Sequence, residues 1–162
     1  MTRNLLLAAL IVAAPGSALA DPAADAAQCH RDAGTFLAGT VIRGPRYAPG
    51  HEKRRGVYLS HTRLTLRGDD GKSYDVAIDN VFANQYRRNQ TSVPAPLNTI
   101  RVGDKLELCG QPFPNGIHWV HTNCGVTPSA EKPNGWVRKV GTDGSAGDNM
   151  EAGTTYCRLW AQ

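Results

Sequence analysis

The stretch DDGKSYDVAID, residues 69–79, decides the predicted fold. Asp and Gly tolerate positive φ, so its first four residues predict a tight turn between two antiparallel strands. In the remainder, Tyr74, Val76 and Ile78 alternate with smaller or charged side chains, which is the period of a strand with one face in the core and one in water. We therefore expect a β-hairpin in the middle of the chain.

Strand patterns on both sides of this hairpin complete the predicted sheet. A first strand is predicted over residues 36–42 and the incoming hairpin strand over residues 56–67. After the hairpin, residues 80–99 predict a connection with one or two helical turns, which Pro94 and Pro96 end. Residues 100–109 and 117–121 predict a closing hairpin. Five strands in this order predict a mainly β fold, a five-stranded OB-like barrel over residues 34–138.

The segments that flank the barrel have different patterns. Asp21 as a cap, Pro22 at the first helical position and Gly34 at the end predict a short N-terminal helix over residues 21–33. Residues 139–162 predict a flexible loop, poor in apolar side chains, and an irregular tail that Cys157 and Trp160 pin to the barrel. A composition of 41% hydrophobic residues, with 17 Gly and 10 Pro in 162, excludes collagen, a coiled coil and wholesale disorder.

Residues 1–20 have the pattern of a secretory signal peptide. Arg3 precedes an apolar run over residues 5–14, and Ala18-Leu19-Ala20 fits a cleavage site. A run of this length is too short for a bilayer, which needs about 20 apolar residues. We therefore expect a periplasmic or secreted protein that does not insert into a membrane.

The four cysteines, Cys29, Cys109, Cys124 and Cys157, all follow the predicted leader. An even number in an exported chain predicts two disulfides, and the absence of a C-x-x-C pair argues against a zinc site. If the closing hairpin turns near Pro114, Cys124 lies about 16 Å past the residue opposite Cys109, so these two are not expected to pair. Each is then expected to bond to Cys29 or Cys157, and both such pairings remain open.

Positive charge is concentrated in and around the loop over residues 43–55. Seven basic residues lie between Arg43 and Arg67, against Glu52 alone. In an OB fold this loop borders the ligand face, so we expect it to bind anionic groups, with Tyr58, His61 and two tryptophans adding ring contacts. The alternative is a solvated loop. The predicted ligand-binding residues are Arg43, Arg46, Lys53, Arg54, Arg55, Tyr58, His61, Trp119 and Trp136.

The segments His118-Trp119-Val120-His121 and Gly135-Trp136-Val137 resemble the signature of an uncharacterised bacterial domain-of-unknown-function family. That family ends its closing strand in His-Trp-Thr-His-His-Asp-Pro and continues to His-Pro-Gly-Gly-Trp-Ile. The similarity covers residues 39–138 and implies a barrel, but no activity. The His-Asp-Pro that follows the second His in that family corresponds here to Thr122, Asn123 and Cys124. The family's later His corresponds to Lys132. Most potential metal ligands are thus replaced, and we expect no metal and no cofactor.

His118, His121 and Arg138 support an alternative in which the protein is a small secreted phosphodiesterase or nuclease. One imidazole would take a proton, the other would give one, and the guanidinium would stabilise charge. On a straight strand, however, residues three apart point to opposite faces, so this site requires a kink after Val120. Otherwise the histidines cap the end of the strand, and Trp119 and Trp136 pack on each other.

The sequence therefore favours binding over catalysis. We expect an exported module for an anionic polymer, such as nucleic acid or an acidic polysaccharide, or for an envelope component. A structural envelope protein without a small-molecule ligand is a further alternative. The sequence indicates no oligomeric state.

Overall fold

The computed structural model describes residues 18–160, so most of the predicted leader lies outside the described residues. Leu19, at its end, forms an isolated bridge with Ser145. The N-terminal helix α1 spans Pro22–Arg31, and the Asp21 carboxylate accepts hydrogen bonds from the first-turn amides of Ala23 and Ala24. Within residues 18–160, no helix is long and apolar enough to cross a membrane.

The rest of the chain is mainly β, as predicted. The strands are β1 Thr35–Ala48, β2 Lys53–Arg54, β3 Val57–Tyr58, β4 His61–Gly68, β5 Ser73–Asp79, β6 Lys105–Phe113, β7 Gly116–His118 and β8 Trp136–Val140. Short 3-10 helices lie at Asn80–Phe82, Leu97–Thr99 and Cys157–Leu159.

Five of these strands close a barrel. Its order is β1-β4-β5-β7-β6, and β6 pairs again with β1. β5 and β7 run parallel, with Asp75 opposite Gly116, and the other pairs are antiparallel. Leu66, Leu106 and Leu108 are fully buried inside the barrel. This is the predicted five-stranded OB-like fold.

Several element boundaries differ from the prediction. β1 continues to Ala48 because its pairing with β4 shifts register twice, between Val41 and Arg46, which lets one strand bend round the barrel. The first half of the predicted basic loop is therefore strand, and its second half contributes the small ribbon of β2 and β3. The closing strand ends at His118 because the next residue has a φ of +52°. β8, which was not predicted, pairs with β6 over residues 136–140.

The C-terminal segment packs against the barrel along part of its length. Lys139 and Val140 belong to β8, and Met150 and Glu151 are buried, so residues 139–153 are not an exposed loop throughout. Tyr156 and Leu159 form a second apolar cluster with Phe82.

Two disulfides fix the ends of the described chain. Cys29 on α1 bonds to Cys109 on β6, and Cys124 bonds to Cys157 in the tail. The expectation that Cys109 and Cys124 have different partners is confirmed. Two disulfides are compatible with a location outside the cytoplasm.

Candidate functional site

A cleft of about 540 Å³ lies where the ends of β1, β4 and β5 meet the loop over residues 49–52. We call it the basic cleft. Trp119, just after β7, and Trp160, near the C-terminus, form part of its wall. The complete lining is Arg46, Ala48, Pro49, Gly50, His51, Glu52, Arg54, Leu59, His61, Arg63, Asp79, Trp119 and Trp160.

Three arginines converge on the basic cleft. Arg46 on β1 and Arg63 on β4 are directly opposite in the strand pairing, and both are exposed. Like charges facing each other across a strand pair are destabilising, so this pair favours an anion between or beside the two guanidinium groups. Arg54 donates from Nε to the Glu52 carboxylate at 2.6 Å and lies over the Trp160 ring, 5.2 Å from its centroid.

A buried carboxylate joins two imidazoles at the back of the cleft. His61 Nε2 lies 2.6 Å from Asp79 Oδ1, and His121 Nε2 lies 3.2 Å from Asp79 Oδ2. His61 is about a third exposed to the cleft, whereas His121 is buried. We call these three residues the His-Asp-His cluster. It holds one imidazole at the surface of the cleft through a carboxylate that water barely reaches.

The Asp79 carboxyl remains ionised because of the two histidines. Burial alone raises its pKa, but the contacts with His121 and His61 outweigh burial and hold the pKa well below its usual range. The ionised carboxylate therefore accepts a hydrogen bond from His61 Nε2–H. In a neutral His61 ring, Nδ1 is then the nitrogen without a proton.

His121 is fixed on every side. Its ring stacks on Phe82 with centroids 4.0 Å apart, and its Nδ1 lies 2.6 Å from the carbonyl oxygen of Thr122. One ring nitrogen therefore faces a backbone carbonyl and the other the Asp79 carboxylate, and Phe82 holds the plane of the ring.

A second buried carboxyl, Glu151, lies in the C-terminal segment, close enough to Asp79 for the two charges to interact. It is fully buried, and neither of its carboxylate oxygens has a hydrogen-bond partner. Burial, and then the negative charge of Asp79, raise the pKa of Glu151 well above its usual range. Burial thus favours the protonated form of Glu151, next to a carboxyl held in its ionised form.

A second cavity, of about 320 Å³, shares the walls of Trp119 and Trp160 with the basic cleft. We call it the aromatic cavity. It is also lined by Phe82, His121 and the disulfide of Cys124 and Cys157. The remaining lining residues are Thr122, Asn123, Val126, Lys132, Pro133 and Arg158.

The structure brings together only part of the predicted ligand-binding set. Arg46, Arg54, His61 and Trp119 line the basic cleft. Arg43 lies at a smaller cavity of about 150 Å³, which also borders Arg46 and Arg63.

Three other predicted residues belong to the outer ribbon. Lys53 and Tyr58 pair with each other there, with the ammonium 4.9 Å from the ring centroid. Arg55 lies in the turn between β2 and β3. The ribbon follows the cleft-forming loop in sequence, so the basic run is divided between two places.

Trp136 and Arg138 lie elsewhere, which corrects two predictions. Trp136 packs on Phe36, with centroids 6.1 Å apart, and it borders a different cavity from Trp119. Arg138 forms ion pairs with Asp25 and the buried Glu107, so its charge is neutralised between α1 and the barrel. It is a structural anchor and does not accompany the histidines.

His118 and His121 also do not form one site. His118 contacts the Phe113 ring and lines the smaller cavity with Arg63, whereas His121 lines the aromatic cavity. Burial, followed by the charges of Arg63 and His61, lowers the pKa of His118, which favours its neutral form. The pairing of His118, His121 and Arg138 in one hydrolytic site was wrong, because the positive φ of Trp119 turns the chain away from the strand.

Sequence reasoning missed four residues that shape the site: Arg63, Asp79, Glu151 and Trp160. Asp79 followed the alternation of its strand and was placed on the face in water, and Arg63 was counted only as part of the basic run. Asp79 lies at the end of β5, where His61 and His121 cover it. An acidic residue that ends a strand opposite a histidine, as Asp79 is opposite His61, is the signal that could have located it.

No set of three or more His, Cys, Asp or Glu side chains in residues 18–160 is arranged to hold a metal ion. In the His-Asp-His cluster the carboxylate itself occupies the space between the imidazoles. Comparisons with protein-family models, with curated proteins and with solved structures each found no match for this chain.

Proposed function

We propose that this protein is an exported binding module that takes an anionic polymer in its basic cleft. The observation that carries the proposal is the cross-strand pair of Arg46 and Arg63, with Arg54 in the lining of the same cleft. Guanidinium groups bind phosphate, sulfate or carboxylate through paired N–H donors, and a bound anion relieves the repulsion between two facing arginines.

The walls of the cleft suit a polymer better than an isolated inorganic ion. At about 540 Å³ the cleft is in the size range of organic ligand sites. Trp119 is 39% exposed and provides an apolar surface beside the arginines. A ligand that uses both the arginines and the Trp119 ring carries anionic groups next to apolar ones, as the repeating units of an anionic polymer do.

Binding of heparin and of single-stranded DNA at several salt concentrations tests this function. We expect Arg46→Ala and Arg63→Ala each to reduce affinity about tenfold. Each is also expected to reduce the slope of log affinity against log salt concentration by about one unit, the equivalent of one phosphate contact. Arg67→Ala is the matched control, since Arg67 is exposed on the same strand but outside the cleft. Wild-type affinity in both cleft variants, or an equal loss in Arg67→Ala, would contradict the proposal.

A second candidate function rests on the contact between His61 and Asp79. We propose that a neutral His61 serves as a general base for RNA cleavage, with Nε2–H held by Asp79 and Nδ1 accepting the proton. In this step the 2′-oxygen gives its proton to Nδ1 and bonds to phosphorus. The bond to the 5′-oxygen breaks, and that oxygen takes a proton from water. Arg46 and Arg63 stabilise the added charge on phosphorus.

Incubation with RNA and with DNA of the same sequence, with and without Mg²⁺ or Zn²⁺, tests this second function. We expect cleavage of RNA only, ending in a 2′,3′-cyclic phosphate, and a loss of about 100-fold or more in His61→Ala. His30→Ala, in the exposed last turn of α1, is the control. Intact RNA, or equal cleavage by His61→Ala, would rule out the catalytic role and leave the binding function untouched.

A further inference from the structure

We infer that the aromatic cavity is a pocket for a nucleobase, so that the polymer bound by the basic cleft is single-stranded nucleic acid. This inference rests on the proposed anion binding and names the class of ligand. Trp119 and Trp160 line both the basic cleft and the aromatic cavity. A ligand that follows the arginines therefore passes the open edge of the aromatic cavity.

The shape and lining of the aromatic cavity suit a flat, mostly apolar ring. Its volume of about 320 Å³ is at the low end of the range for small-molecule sites. Phe82 and His121 are buried and stack on each other, and Trp160 lies 5.0 Å from Phe82, centroid to centroid. The ring surface left to a ligand is that of the partly exposed Trp119 and Trp160, and unpaired bases stack on such faces.

The backbone at Trp119 indicates that this ring is placed for a purpose other than packing. Its φ of +52° is a conformation that costs a non-glycine residue about 1 kcal/mol. The strained conformation nevertheless leaves the indole partly exposed between the two cavities and 5.7 Å from His121, centroid to centroid. A side chain in the core gains burial in return for such strain, whereas this one remains available to a ligand.

The polar groups of the cavity argue against a sugar ring as its occupant. The Asn123 amide already donates to the carbonyl of Val126 and accepts from Gly125 N. The Thr122 hydroxyl accepts from Cys124 N. A sugar would bury several hydroxyl groups with few partners, and each unpaired group costs free energy. A base needs fewer partners, and Lys132 and Arg158 in the lining carry donors for its carbonyl oxygens.

Two oligonucleotides with the same number of phosphates, one with bases and one without, distinguish binding of a base from binding through phosphate charge alone. We would measure binding of a ten-residue thymidine oligonucleotide and of an abasic oligonucleotide of equal length, by tryptophan fluorescence and by anisotropy. We expect the thymidine oligonucleotide to bind about tenfold more tightly. Trp119→Ala is expected to abolish that difference, and Trp119→Phe is expected to restore most of it. Arg67→Ala, outside both cavities, is expected to leave the difference unchanged.

The outcomes separate the two proposals. If both oligonucleotides bind equally and Arg63→Ala weakens both, the anion site stands and the base pocket is wrong. If heparin binds while neither oligonucleotide does, the ligand is an acidic polysaccharide and the base pocket is again wrong. If no polyanion binds, both proposals fail. Circular dichroism of each variant shows whether a loss comes from unfolding.

Discussion

Asp79 and Glu151 are two buried carboxyl groups behind the basic cleft, and their surroundings move their pKa values in opposite directions. Burial acts on both, but only Asp79 has imidazoles beside it to outweigh that effect. Removing a carboxyl from water is costly unless it is paired or neutral. Asp79 is paired with imidazoles and keeps a negative charge behind His61, whereas burial favours the protonated form of Glu151.

Replacing Glu151 with Gln tests this difference through the dependence of stability on pH. A group whose pKa is raised by folding stabilises the protein fully below its unfolded pKa, about 4.3, and that contribution is lost as pH rises toward the folded pKa. Glu151→Gln does not titrate. We expect it to gain stability relative to wild type as pH rises above 4, by up to about 1.4 kcal/mol per pH unit until the folded pKa of Glu151 is passed.

Urea unfolding at pH 4, 6 and 8 measures this gain. Asp79 is present in both proteins, so its own titration largely cancels in the difference. A difference in unfolding free energy that stays constant with pH would show that Glu151 is already ionised in the folded protein.

At the scale of elements, the barrel closes at one short parallel contact. Gly116 begins β7, and a Cβ atom there would lie 1.7 Å from the carbonyl oxygen of Asp75 on β5. Only glycine lets the two backbones approach this closely. The same contact sets where β7 starts, and hence where Trp119 and His121 emerge.

We therefore expect Gly116→Ala to destabilise the protein by about 3 kcal/mol or more, because the β5–β7 pairing must open to admit the methyl group. Gly71→Ala is the control: its φ is +81°, but no atom lies within 4 Å of the added carbon. That change is expected to cost only about 1 kcal/mol of backbone strain. Equal losses for the two variants in urea unfolding would show that crowding at Gly116 does not hold the barrel closed.

The elements that sequence predicts well are those whose local pattern and tertiary role agree. The hairpin of β4 and β5 is one, because its turn residues and its alternating pattern lie within one short stretch of sequence. β8 is different, since its position depends on pairing with β6, which is remote in sequence. The same applies to Trp119, whose positive φ no local pattern indicates.

The candidate site was only partly predictable for the same reason. A run of basic residues locates charge along the chain, but the bend of β1 decides which of them share a cleft. Arg46 is brought opposite Arg63 by the register shifts, whereas Lys53 is carried away on the ribbon. The histidine paired with Asp79 comes from β4, and no spacing rule joins these two positions with His121.

At the scale of the whole molecule, the two disulfides have separate tasks. Cys29–Cys109 ties α1 to the barrel, next to the ion pairs of Arg138. Cys124–Cys157 ties the tail across the aromatic cavity. Both close loops, of 80 and 33 residues in sequence separation, and both are expected to stabilise the fold.

Replacing each cysteine pair with Ala separates stability from binding. We expect either double variant to lose about 2–5 kcal/mol of unfolding free energy. Only the Cys124 and Cys157 variant is expected to lose the preference for thymidine over abasic oligonucleotide, since Trp160 lies three residues beyond Cys157. An equal loss of preference in the Cys29 and Cys109 variant, measured well below both melting temperatures, would contradict this division.

The placement of Trp160 links both cavities to the oxidation state of one cysteine pair. This ring forms a wall of both cavities, and the Cys124–Cys157 disulfide, three residues before it, holds its segment in place. A chain in which these two cysteines are reduced keeps the arginines of the basic cleft but loses this restraint on Trp160. We therefore expect the proposed binding to require oxidation of this cysteine pair.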